Sequence, residues 1–184
     1  QRNPKPCPVL EVLEPGNPIV KSLAEGADIR TDIPRYRVFL RGEVVDEPGD
    51  ILEYWRDDLV TFLFGCSGTF EGVLENVGIY PRWREKQGQG SGVYVTNIPT
   101  TAAGRLHGPM VVSMRPIPVH QVTTAIQATS RFPTHHGAPV HIGDPSAIGI
   151  DDLSKHEWVQ GSLPIEGEVP VFWACGVTPQ IVAQ

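Results

Sequence analysis

Four turns in this sequence carry residue types that can do chemistry, and an apolar run precedes each. Cys66 follows the run at residues 59–64 (LVTFLF), with Ser67, Thr69 and Glu71 close behind. A helix N-terminus lowers a thiol pKa, so Cys66 reads either as a nucleophile or as a small buried hydrophobe at a tight turn. Ser67 reads as an N-cap whose hydroxyl and backbone N–H groups would also hold a carboxylate. Glu71 reads first as a first-turn acid favoured by the helix dipole and second as a general base. Arg115 closes the run at residues 110–114, where its planar fork suits either a bidentate carboxylate clamp or a structural ion pair.

The third turn follows residues 139–142 (PVHI), where His141 alternates with Val140 and Ile142 and Asp144 comes three residues later. A histidine near a carboxylate makes a tuned acid/base; the alternative is a histidine satisfied by a cap residue. His135 and His136 precede the same strand and cannot share a face, so only one of the two is expected to point inward. The fourth turn, after VPVFWA (residues 169–174), offers Cys175, Gly176 and Thr178, the last as N-cap. Asn97 ends a further strand at residues 93–95 and either lines the same cleft or makes a turn. Zinc through Cys66, His141 and Cys175 lacks ligand-pair spacing, and glycines 88, 90 and 92 follow no strand, so neither metal nor dinucleotide is expected.

These turns need elements to position them. Phe70, Val73, Leu74 and Val77 fall at helical spacing after Cys66, and Gly78 closes that helix. Val119, Val122 and Ile126 mark a second helix, and Asp144 followed by Pro145 marks a capped start. Strand, turn and helix repeated four times predict an α/β fold with a largely parallel sheet flanked by helices. In such sheets ligands bind where strand C-termini meet helix N-termini. Earlier, residues 7–13 alternate like a strand. A hairpin is expected across Arg41 and Gly42, and Asp50 is placed to cap a short helix through Trp55. This gives one domain over residues 1–184 with two packed subdomains, about 1–57 small and mixed α+β, 58–184 mainly α/β.

With 184 residues, a net charge of −6 and no basic cluster longer than RWREK at residues 82–86, the chain lacks the footprint of a nucleic-acid binder. No apolar run approaches the ~20 residues of a membrane helix. Three cysteines without a CxxC pair argue against a disulfide framework. That fits a reducing compartment, cytoplasmic by default or the mitochondrial matrix in a eukaryote. Gln1 opens the chain without a signal-peptide pattern, which reads as a trimmed or disordered end. Nineteen glycines and eighteen prolines point to many sharp turns between short elements.

Together the motifs resemble one family. FLFGCSGTFE (62–71), VVSMRP (111–116), FPTHHGAPVHIGDPSAIGI (132–150) and PVFWACGVTPQ (170–180) look like the family of "putative hydro-lyases", also called the D-glutamate cyclase family. The opening QRNPKPCPVLEVLEPG, then DIRTDIPRYRVF (28–39) and WRDDLVTFLFGCS, resemble it in the same order, so the likeness covers essentially the whole chain. The resemblance implies a carbon–oxygen lyase that cyclises D-glutamate to 5-oxo-D-proline with loss of water, without metal or organic cofactor, on a native chain longer at both ends. That chemistry needs a base, an acid and anion-stabilising donors. His141, Asp144, Glu71 and Cys66 are the catalytic candidates. Ser67, Arg115, Asn97, His136, Cys175, Gly176 and Thr178 are the candidates for binding a small carboxylate, the expected partner, with a homo-oligomer as a further expectation. The alternatives are a non-catalytic carboxylate-binding subunit in oxoproline metabolism and a metal-dependent hydrolase.

Overall fold

The apolar runs at residues 109–118 and 168–174 form the two central strands of an antiparallel sheet, and their alternation sets both faces of the core. The structure, a computed structural model, describes residues 2–65, 68–80, 82, 90–156, 158 and 161–183. In chain order the elements are β1 (Val9–Leu13), β2 (Val38–Leu40), β3 (Glu43–Asp46), β4 (Thr61–Phe64), α1 (Gly68–Glu75), β5 (Gly92–Pro99), β6 (Pro109–Pro118), α2 (Val122–Ser130), β7 (His141–Ile142), β8 (Glu168–Ala174) and α3 (Thr178–Val182). They fall into two units, one of Gly65–Val182 with the first eight residues and one centred on Val9–Phe64.

In the first unit the strand order is β5-β6-β8-β7, and every neighbouring pair runs antiparallel. The expected largely parallel sheet flanked by helices is therefore corrected. Only residues 100–108 separate β5 from β6, shorter than the dozen or more that a parallel crossover needs. The misleading feature is burial. β6 and β8 are covered on both faces, so they read as unbroken apolar runs like parallel strands, without the alternation of a half-solvated antiparallel one. The strand expected at residues 59–64 pairs instead with β1, in the other unit.

Side chains alternate across the sheet. Ile117, Val171 and Trp173 pack with Leu74 of α1 and Ala125 of α2 on one face. Val112, Met114 and Phe172 pack with Tyr94, Ile148 and Ile150 on the other. Trp173 and Phe172 are fully buried, each worth roughly 2–3 kcal/mol. The strand expected to stop at Arg115 runs on through Pro116 and Pro118. Pro116 lies opposite Pro170, and Gly143 N–H donates to the Pro170 carbonyl, so Pro170 faces β7 and Pro116 faces away from β8, where β5 has already ended. Neither proline removes a bond between β6 and β8. Past α1, Gly78 N–H donates to Glu75 O and Ile79 N–H to Leu74 O, the paired bonds that end a helix at a Schellman turn.

In the second unit, β1 pairs with β4 and β2 with β3, both antiparallel. The β2–β3 hairpin turns on Arg41 and Gly42 at φ 55° and 88°, the doubly positive geometry that matches strand twist. Leu13, Val20 and Ile29 form its core with Trp55 and Leu63 packed around them. Asp50 accepts from Leu52 N–H, but a single turn follows rather than the expected helix.

Candidate functional site

The outer edge of β8 shows how the fold holds a buried histidine. Pro170 and Phe172 turn their carbonyls toward β7, where Gly143 N–H (2.9 Å) and Val140 N–H (2.8 Å) donate to them. The next carbonyl on that side, Ala174 O, takes its bond from the His136 imidazole, with Nδ1 at 2.6 Å. The side chain thus replaces a backbone donor on the last rung of the ladder. A carbonyl oxygen only accepts, so Nδ1 carries the proton in this bond. His136 is 1% exposed, and burial pushes its pKa below the usual histidine value. The bond to Ala174 opposes that shift, and the positive charges of Arg115 and His135 reinforce it. The His136 backbone sits at φ 66°, an uncommon conformation for a residue with a side chain, and Gly137 follows at φ 60°.

On the helix-covered face, Arg115 is 2% exposed and Glu71 4%. Arg115 donates to Glu71 Oε1 from Nε (2.9 Å) and from its NH2 nitrogen (2.5 Å), and from its NH1 nitrogen to Ser113 Oγ (3.0 Å). The guanidinium lies 5.6 Å from the Trp173 ring centroid. Of the two readings of Arg115, the structure displays the ion pair, with its fork directed to Glu71 and Ser113. Among the described residues, Glu71 Oε2 is buried without a hydrogen bond.

Several other candidates gather at the end of the sheet where β8 finishes and β6 starts. Cys175 N–H donates to Val111 O (2.8 Å), and Cys175 is buried in an apolar cluster with Val93 and Val111. A Cβ on Gly176 would stand 3.4 Å from the Gly65 carbonyl, so this turn abuts the one that precedes α1. Cys66 and Ser67, next in that turn, lie outside the described residues. Thr178 is fully buried; its hydroxyl accepts from Val111 N–H (3.0 Å) and donates to Cys175 O (2.8 Å), which ties α3 to β6. Asn97 is exposed and rests against Gly149.

His141 and Asp144 form a separate cluster. His141 pairs with Phe172 across β7 and β8, with the two rings 5.7 Å apart, whereas Arg115 pairs with Val171 and projects from the opposite face. The sheet therefore separates His141 from Arg115. His141 Nε2 lies 2.7 Å from the backbone carbonyl of Asp144, the cap residue, rather than from its carboxylate. The carboxylate caps a short 3-10 turn, Pro145–Ile148, accepting from Ser146 N–H (3.0 Å) and Ser146 Oγ (2.9 Å). Those bonds, with the nearby charge of His141, hold Asp144 below the usual carboxylate range.

Sequence reasoning missed two features: the left-handed backbone of His136 and the pairing of Arg115 with Ser113 and Trp173. A histidine followed by glycine at the mouth of a strand was the available signal for the first. A groove between α1 and α2, lined by Val73, Val77, Thr124, Ala128 and Phe132, contains none of the candidate residues. Among the described residues, no group of three or more His, Cys, Asp and Glu side chains could hold a metal ion, and no helix is long and apolar enough to cross a membrane.

Comparison with known proteins adds to this geometry. The family model described as D-glutamate cyclase matches residues 60–184. A protein of Corynebacterium urealyticum named "putative hydro-lyase" is 58% identical over 180 residues, covering 98% of this chain and 68% of that protein. Proteins of the same name from Bacillus licheniformis and Psychrobacter arcticus are 56% and 54% identical over 183 residues. They cover the whole of this chain and 70% and 69% of their own lengths.

Proposed function

The chain belongs to the D-glutamate cyclase family, and from that premise we propose that it is a cytoplasmic hydro-lyase that converts D-glutamate to 5-oxo-D-proline and water. The observation that carries the reading is His136, a buried histidine whose Nδ1–H bonds the Ala174 carbonyl, at the end of the sheet where the Gly65 and Gly176 turns meet.

The chemistry requires a C–N bond to form between the amine and the γ-carbon while a carboxylate oxygen leaves. The substrate ammonium has two protons more than the lactam nitrogen, and the departing oxygen needs two to leave as water. A single group that takes protons from nitrogen and returns them to oxygen closes that balance. His136 performs this transfer through Nε2. Its low proton affinity suits it to giving the proton back, and the hydrogen bond from Nδ1 to Ala174 O keeps the ring in one tautomer while it does so. Arg115 supplies positive potential that favours the neutral amine and stabilises charge on the carboxylate, with Glu71 and Ser113 fixing the guanidinium. The substrate carboxylate binds at the Gly176 turn.

Product detection tests this. Purified protein incubated with D-glutamate is expected to form 5-oxoproline, with L-glutamate and a panel of hydroxy acids as comparators. His136→Gln is expected to lower turnover by roughly 10²–10⁴-fold. No product from D-glutamate, or an undiminished His136→Gln variant, would refute the proposal.

A further inference from the structure

We propose that Lys5 is the positioning residue of the site, holding His136 and Gly137 in their left-handed backbone conformation so that the imidazole stays on the Ala174 carbonyl. Three contacts carry this. The Lys5 carbonyl accepts from His136 N–H at 3.1 Å, and Lys5 Nζ donates to Ala138 O, also at 3.1 Å, so the two bonds bracket the turn. Between them the aliphatic stem lies over Gly137: a Cβ added there would stand 3.2 Å from Lys5 Cε. A side chain at residue 137 would be strained by φ 60° and crowded by the lysine, so glycine and lysine fit as a pair.

Lys5 can impose this conformation because it is itself anchored on both sides. Asn3 exchanges two hydrogen bonds with the Thr101 backbone, accepting from its N–H (2.8 Å) and donating to its carbonyl (2.9 Å), and the Arg2 NH1 nitrogen donates to Ala102 O (3.0 Å). Cys7 N–H donates to Asn3 O (3.1 Å), closing a turn around Lys5. Pro8 O accepts from Gly65 N–H (2.8 Å), at the turn that abuts Gly176. Residues 2–8 thus form a strap that fixes His136 at its middle and the Gly65 turn at its end. Positive-φ residues persist where surrounding structure over-determines them, and they cluster at functional sites. The bearing of Lys5 on turnover rests on the proposed role of His136; its hold on the imidazole does not.

The experiment therefore reads the two separately, on the full chain. Ring ¹⁵N spectra, with His136 assigned by its loss in His136→Gln, are expected to show the Nδ1–H tautomer in the parent protein. In Lys5→Ala that single tautomer gives way to a mixture, and kcat falls about tenfold while KM moves less than about twofold. Lys5→Arg, which reaches the Ala138 carbonyl, restores both. If Lys5→Ala does not fold, Lys5→Met keeps the stem and drops the Nζ donor, and a partial loss of the tautomer is expected. A folded Lys5→Ala or Lys5→Met protein with an unchanged His136 spectrum overturns the proposal. A spectrum that responds to Lys5, in a protein whose turnover His136→Gln leaves untouched, upholds the positioning and removes His136 as the proton shuttle.

Discussion

Replacing Glu71 with alanine withdraws the counter-charge from a guanidinium that has almost no water to turn to. The two side chains are 6% and 3% exposed, and Glu71 Oε1 accepts both the Nε and NH2 donors of Arg115. Removing one partner of such a buried pair costs about 3–5 kcal/mol, because the charge left behind keeps its desolvation penalty and loses its Coulombic return. Ser113 and the Trp173 face remain and offset part of this, which favours the lower end of the range. At about 2–4 °C per kcal/mol for a chain of this size, the melting temperature of the four-stranded sheet should fall by roughly 6–20 °C. Glu71→Gln keeps an acceptor for the fork and should lose less, about 1–3 kcal/mol. The double variant Glu71→Leu with Arg115→Met removes both charges and should recover most of the loss, since apolar replacements of buried pairs are often neutral. Thermal and urea denaturation followed by near-ultraviolet circular dichroism reports all four proteins. A Glu71→Ala loss below about 1 kcal/mol, or a double variant no more stable than the single, would show that burial and pairing do not dominate here.

Two further outcomes follow from the same geometry. Because burial lowers the His136 pKa, the unfolded chain binds this proton more readily between the unfolded value near ~6.5 and the lower folded one. Its contribution is complete above the unfolded value and is lost as the pH falls toward the folded one. The urea midpoint should therefore drop from about pH 7.5 to about pH 5.5, less steeply in His136→Gln, and equal slopes in the two proteins would contradict the assignment. The lowered carboxylates Glu11, Asp28, Asp58, Asp144 and Asp152 act in the more acidic window near and below ~4. Thr178→Val should cost about 1–3 kcal/mol by depriving buried Val111 N–H of its acceptor, whereas Thr178→Ser keeps the hydroxyl and the stability; a valine variant as stable as the parent protein would overturn that bookkeeping.

The amino-acid sequence by itself determined what depends on near neighbours. The Arg41–Gly42 hairpin, the stop at Gly78, the α2 helix and the Asp144 cap each follow from contacts within a few residues, and the motifs at residues 62–71, 132–150 and 170–180 were enough to place the family. Tertiary structure alone decided the direction of the strands, because β6 and β8 are buried on both faces and a doubly buried strand looks the same whichever way its neighbour runs. It also decided which chemistry-bearing residues meet. Arg115 and Glu71 stand 44 positions apart and join because helix α1 packs on one face of the sheet, while that same sheet puts His141 on the other. The setting of His136 is made by Ala174 O and Lys5 O, two backbone carbonyls whose positions depend on the whole path of the chain and carry no signature in side-chain type. Local order is written in spacing and propensity. The environment that tunes an ionisable group is set by long-range burial and pairing, which exist only once the chain has folded.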